Sequence, residues 1–118
     1  MNIEQIMSFL LGVIIVGEAI LLLIGMYLIG KKDHDRRTGF NINTLLIDLA
    51  FGTIILFNAF ENMTFIIIAI PALIITHLYR EIEYFKKDKK SRLSNSYSLF
   101  IVNSIKLIGL VGLLILVL

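Results

Sequence analysis

Residues Met7–Gly30 form an apolar run of 24 residues with a single charge, Glu18, near its centre. As a helix rising about 1.5 Å per residue, the run is about 36 Å long. That is enough to cross a hydrocarbon core of roughly 30 Å with some tilt. A carboxylic acid at that depth is costly, so the remaining residues must bring it a partner, a proton or water.

Three more apolar stretches follow, at about 42–60, 63–78 and 99–118, with Asp48 inside the second and Lys106 inside the last. Asn41, Asn43 and Thr44 offer cap oxygens where the second begins. The chain is 58% hydrophobic and 17% charged, against about half and about a quarter for a soluble domain. Its 118 residues leave room for one domain. The expected architecture is all-α, a single four-helix transmembrane domain spanning residues 1–118. Met1–Ile6 carries Glu4 and no basic residue, and the first run is long and ends in Lys31-Lys32. It therefore reads as a retained span rather than a signal peptide.

Charge sets the expected orientation. Of eleven Lys and Arg residues, four lie in Lys31–Gly39, six in Arg80–Arg92, and the last is Lys106. By the positive-inside rule the loops at 31–39 and 80–98 face the cytosol and both termini face out. The Phe and Tyr residues at the span ends read as interfacial anchors. From Thr76 the third helix is expected to run on past the headgroups. Leu78, Ile82 and Phe85 form its apolar stripe against the interface or a partner, and Glu83 and Lys87 stand at i, i+4. Pro71 should kink the third span.

The chemistry reduces to three charges in lipid. Counted from the cytosolic end of each span at about 1.5 Å per residue, Asp48 lies roughly 9 Å in, Lys106 roughly 11 Å and Glu18 roughly 18 Å. The lean of side chains toward the helix N-terminus carries Glu18 away from the other two. The pairing predicted is Asp48 with Lys106, with Glu18 left over. Span ends that shift by a few residues leave a Glu18–Lys106 pair open. A leftover Glu18 is either a hydrogen-bonding group at a helix interface or a proton- or cation-coupling acid.

Other residues carry weaker signals. Asn103, with Ser104 beside it, shares a face with Lys106 and could extend a polar seam. Ser8 and Gly12 are a small-xxx-small pair that permits close helix approach, either in packing or at a dimer face. His77 with Glu81, or His34 between Asp33 and Asp35, could nominally bind a metal, but two ligands make no site by themselves and no third is evident. Asn62-Met63-Thr64 matches a glycosylation sequon that abuts the bilayer. With no cysteine, neither a disulfide nor a thiolate metal site can form. No phosphate-cradling glycine loop and no nucleophile with a nearby base stands out, so neither an enzyme nor a cofactor is expected. The net charge of +2 is too small to imply nucleic acid.

The segment around Glu18, GVIIVGEAI, resembles in outline the first helix of small multidrug transporters, which share this length, four spans and a single acid there. That resemblance implies transport coupled through Glu18. The aromatic and glycine motifs of that family's second and third spans are absent, and Lys106 is foreign to its pattern. Colicin-type immunity proteins are likewise small, polytopic and basic-looped, but no motif here carries membership. Three expectations follow. The first is a regulatory, accessory or immunity-type membrane protein that acts by helix–helix contact, as a homo-oligomer or with a membrane-protein partner. The second is a small oligomeric transporter using Glu18, and the third a pore-forming, holin-like effector.

Overall fold

The computed structural model describes residues 2–30, 42–61, 64–86 and 94–118, with residues 94–97 described by their backbone. The basic loop at 31–39 with His34, the residues Asn62 and Met63 of the sequon, and the segment 87–93 lie outside the described residues. Four helices make up nearly all of the rest: α1 (Ile3–Ile29), α2 (Ile42–Asn58), α3 (Ile66–Lys86) and α4 (Ser94–Val117).

The ends of α1 are set by its caps rather than by the ends of its apolar run. Asn2 opens α1 ahead of the expected start: its Oδ1 accepts from the Gln5 amide at 2.8 Å, and Gln5 Oε1 accepts from the Asn2 amide at 3.1 Å. This reciprocal arrangement satisfies two donors that a helix start otherwise leaves open. Gly30 closes the helix with φ at +89°, a conformation that costs glycine least, and its amide bonds the Met26 carbonyl. The fourth helix starts at Ser94, within the stretch Ser91–Ser98 that the sequence presents as a linker. In the third, the helix is continuous through Pro71 and onward to Lys86, as the pattern beyond Thr76 predicted. Pro71 lies in the second turn, where the amide it lacks leaves the Ile67 carbonyl without its usual partner.

Each helix packs on its neighbours in the chain, and α1 packs on α4, closing a ring. Contacts run in opposite senses along each pair, as in an up-down bundle: Ser8 meets Asn58 while Ile15 meets Gly52. Gly12 sets the closeness of α1 and α2. A Cβ there would stand 2.6 Å from Leu56 Cα, and one at Gly52 would stand 2.8 Å from Ile15 Cγ2. Ser8 and Gly12 do mark a close approach, but it lies inside the chain, so both are buried against α2 and neither is available as a dimer face. An apolar core of Leu11, Ile15, Ile55, Ile70, Leu73, Leu110 and Leu113 fills one half of the ring. A smaller cluster of Ala19, Met26 and Leu45 lies toward the other end. Polar side chains lie at the levels between and beside them.

Two helices, α1 and the Ser98–Val117 part of α4, are long and apolar enough to cross a membrane. Only 28% and 22% of their apolar windows are buried in the chain, whereas the core helix of a soluble protein is mostly buried. Large apolar side chains such as Leu21 (70% exposed), Ile75 (67%) and Ile108 (73%) face outward. The long axis of the bundle is 43 Å, close to a whole bilayer of about 40–45 Å with its headgroups.

Candidate functional site

The polar side chains point the opposite way, into the ring. On α3, Thr76, His77 and Arg80 are buried while Ile75, Leu78, Tyr79, Ile82 and Phe85 are exposed. The expected stripe of Leu78, Ile82 and Phe85 is therefore an outward face, and the polar stripe behind it is the inward one. Arg80, assigned by sequence to a cytosolic loop, is a buried helical residue.

Two ion pairs result, and neither is the favoured Asp48–Lys106 pair. Lys106 Nζ donates to Glu18 Oε1 at 2.5 Å, joining α4 to α1. Arg80 Nη2 lies 2.8 Å from Asp48 Oδ2, joining α3 to α2. The depths explain the correction. Asp48 is six residues from the start of α2 and Arg80 six from the end of α3, so both lie about 9 Å in from the same end of the ring. Lys106 is twelve residues from the start of α4 and Glu18 eleven from the end of α1, which puts both about 17–18 Å in. Measuring Lys106 from the apolar run at 99 instead of the helix start at 94 placed it at the wrong level. Lys106 still lies within electrostatic reach of Asp48, so the two layers form one charge cluster. Two acids and two bases make its formal charge zero.

A polar seam extends the cluster between α3 and α4. Asn103 Nδ2 donates to the His77 carbonyl at 3.1 Å and to Glu81 Oε1 at 3.0 Å, and Ser104 Oγ donates to the same carboxylate oxygen at 2.7 Å. His77 Nδ1 lies 2.7 Å from the Leu73 carbonyl. A carbonyl only accepts, so Nδ1 carries the hydrogen. Asp48 Oδ1, His77 Nε2 and Asn103 Oδ1 are buried without a hydrogen-bond partner among the described residues. Glu81 is engaged in the seam, and no group of three or more potential metal ligands occurs among the described residues.

Set against family models, curated proteins and solved structures, the chain matches none.

Sequence reasoning missed Arg80 and Asn58, and singled out Glu81 only as a nominal metal ligand beside His77. Asn58 Nδ2 donates to Ser8 Oγ at 3.1 Å and reaches Glu4 Oε1 at 3.5 Å, tying the start of α1 to the end of α2. For Arg80 and Glu81 a signal was present. Thr76, His77, Arg80, Glu81 and Tyr84 recur at i, i+1, i+4, i+5 and i+8, one helical face opposite the apolar stripe.

Proposed function

We propose that this is a four-span integral membrane protein, N-out and C-out, that acts by helix–helix contact with another membrane protein in a regulatory, accessory or immunity-type role. The observation that carries the reading is the inversion of polarity, with Glu18, Lys106, Asp48 and Arg80 paired inside the ring and apolar side chains outside. Water as the surrounding solvent would favour the reverse. Aromatic residues at both ends support the bilayer's position. Phe9 packs edge-on against Phe60 at one end, and Tyr84 stacks on Phe100 at the other, with centroids 4.0 Å apart. From Phe9 to Tyr27 along α1, and from Phe65 to Tyr84 along α3, is about 27–29 Å at 1.5 Å per residue, the thickness of a hydrocarbon core. On this reading α3 crosses the bilayer over its whole length and Arg80 lies within the membrane. The basic residues left at 31–37 and 86–92 still lie toward one side, which supports the cytosolic assignment of that end.

Pairing also bears on mechanism. Glu18 is engaged by Lys106, which favours a structural acid over a coupling one. Photo-cross-linking residues placed singly at Leu21, Ile75 and Ile108 in the native membrane test the reading, with a discrete protein adduct expected from at least one face. The transporter is the second reading, favoured by the three buried acceptors of Asp48, His77 and Asn103. Adducts at none of the three faces, together with proton uptake by purified protein in liposomes, would put it first.

A further inference from the structure

Glu18 is engaged on one side only. Its Oε1 receives Lys106, and Oε2 has no hydrogen-bond partner among the described residues. Lys106 is fully buried, whereas the Glu18 side chain keeps 13% of its surface open. Lys106 therefore stays inside the ring, while the Glu18 side chain reaches the rim of the α1–α4 seam. The helical face next to it is not smooth. Val13, Ile14, Ile20, Leu21 and Ile24 are exposed along α1, and Gly17 interrupts them with nothing within 4 Å of where its Cβ would stand. Gly17 thus opens a notch in an apolar ridge, one residue from a carboxylate oxygen with no donor among the described residues.

We propose that this notch receives a transmembrane helix of another protein that brings a side-chain amide, Asn or Gln, to Glu18. This rests on the helix-contact reading above and names its site and the chemistry of the partner. In hydrocarbon an unmatched carboxylate oxygen has no water to turn to, so a donor there is favoured. A cationic donor fits poorly. The Glu18–Lys106 pair is formally neutral wherever its proton lies, and an added Lys or Arg would leave a net charge in lipid. An amide adds none and offers both a donor and an acceptor. A second copy of this chain does not fit well either, since the outward residues of α1 and α4 near this depth (Ile14, Ile20, Leu21, Ile105 and Ile108) are apolar. Gly17 permits the close backbone approach that a short amide needs.

Purified, labelled protein in phosphatidylcholine liposomes provides the test, with energy transfer to three polyleucine single-span peptides as the readout. One peptide carries a central Asn, one a central Lys and one neither. The Asn peptide should bind about tenfold more tightly than plain polyleucine, and the Lys peptide should gain nothing. Gly17→Leu fills open space, leaves the ion pair intact and should bring the Asn peptide down to the polyleucine level with helical content unchanged. Glu18→Leu combined with Lys106→Leu removes the acceptor without stranding a charge and should do the same. Equal binding of Asn and polyleucine peptides, or full binding by Gly17→Leu, would overturn the proposal. So would self-association that Gly17→Leu abolishes, because the occupant would then be a second copy. Protein adducts at Ile75 or Ile108 in the native membrane, with none at Leu21, would remove this site while leaving the helix-contact reading standing.

Discussion

The pairing of charges makes the sharpest prediction, because the structure and the sequence disagree on it. Take Glu18→Leu, Lys106→Met, Asp48→Leu and Arg80→Met, singly and in pairs. Lys106 and Asp48 are 0% and 1% exposed, the Arg80 side chain 3% and the Glu18 side chain 13%. Removing one member strands a charge that water barely reaches, at a cost of about 3–5 kcal/mol. Removing both members of a true pair leaves apolar groups of similar volume, which is often close to neutral. The coupling within Glu18–Lys106 and within Asp48–Arg80 should therefore exceed about 2 kcal/mol. Asp48–Lys106, across the two layers, should couple by less than either. Reversible unfolding in bicelles or mixed micelles, followed by helical circular dichroism, measures all three cycles. An Asp48–Lys106 coupling equal to or larger than the other two would refute the layered arrangement and restore the pairing read from sequence.

Gly12→Leu should destabilise the protein by about 1–3 kcal/mol or more, since the added side chain meets the Leu56 backbone at 2.6 Å rather than a yielding side-chain tip; the same unfolding assay reads it. Asn103→Leu removes donors to the His77 carbonyl and to Glu81 and should cost about 1–3 kcal/mol, whereas Ile108→Leu on the outward face should change stability by less than about 0.5 kcal/mol. Cysteines placed singly at Asn2 and Glu61 should label from outside intact cells and one at Ser94 should not; outside labelling of Ser94 alone would reverse the proposed orientation.

The four helices were legible because apolar runs and polar breaks dominate the sequence. What misled was treating the edge of an apolar run as the edge of a helix. Ser94–Ser98 is polar and reads as a linker, yet it forms the first turn and more of α4. A helix start favours small polar residues, whose side chains bond the amides left open there. Five residues of misplacement are about 7–8 Å of depth, enough to pair Lys106 with the wrong acid. Arg80 was lost for a related reason. Positive-inside counting assigns every basic residue beyond an apolar run to a loop, and that bookkeeping cannot see a polar face turned inward on a continuing helix. Ser8 and Gly12 show a different limit: small residues announce a close approach, but which helix arrives depends on the whole ring.

That dependence gives the two ion pairs their structural sense. On the membrane reading proposed above, apolar side chains do not choose between a neighbouring helix and an acyl chain, so packing alone specifies order weakly. Chain connection already holds α1 to α2, α2 to α3 and α3 to α4. The closing contact between α1 and α4 has no such tether, and the Glu18–Lys106 pair lies there, reinforced where Leu11 fills the space above Gly109. Asp48 and Arg80 lie nearer one end of the ring, at a level about 9 Å away. A slide of α4 by one turn would carry Lys106 about 5 Å toward or away from that layer, stranding Glu18 and crowding or abandoning Asp48. Two pairs at two depths thus fix both which helix closes the ring and at what height. The proposed partner helix would meet the oxygen of Glu18 that the same arrangement leaves at the rim.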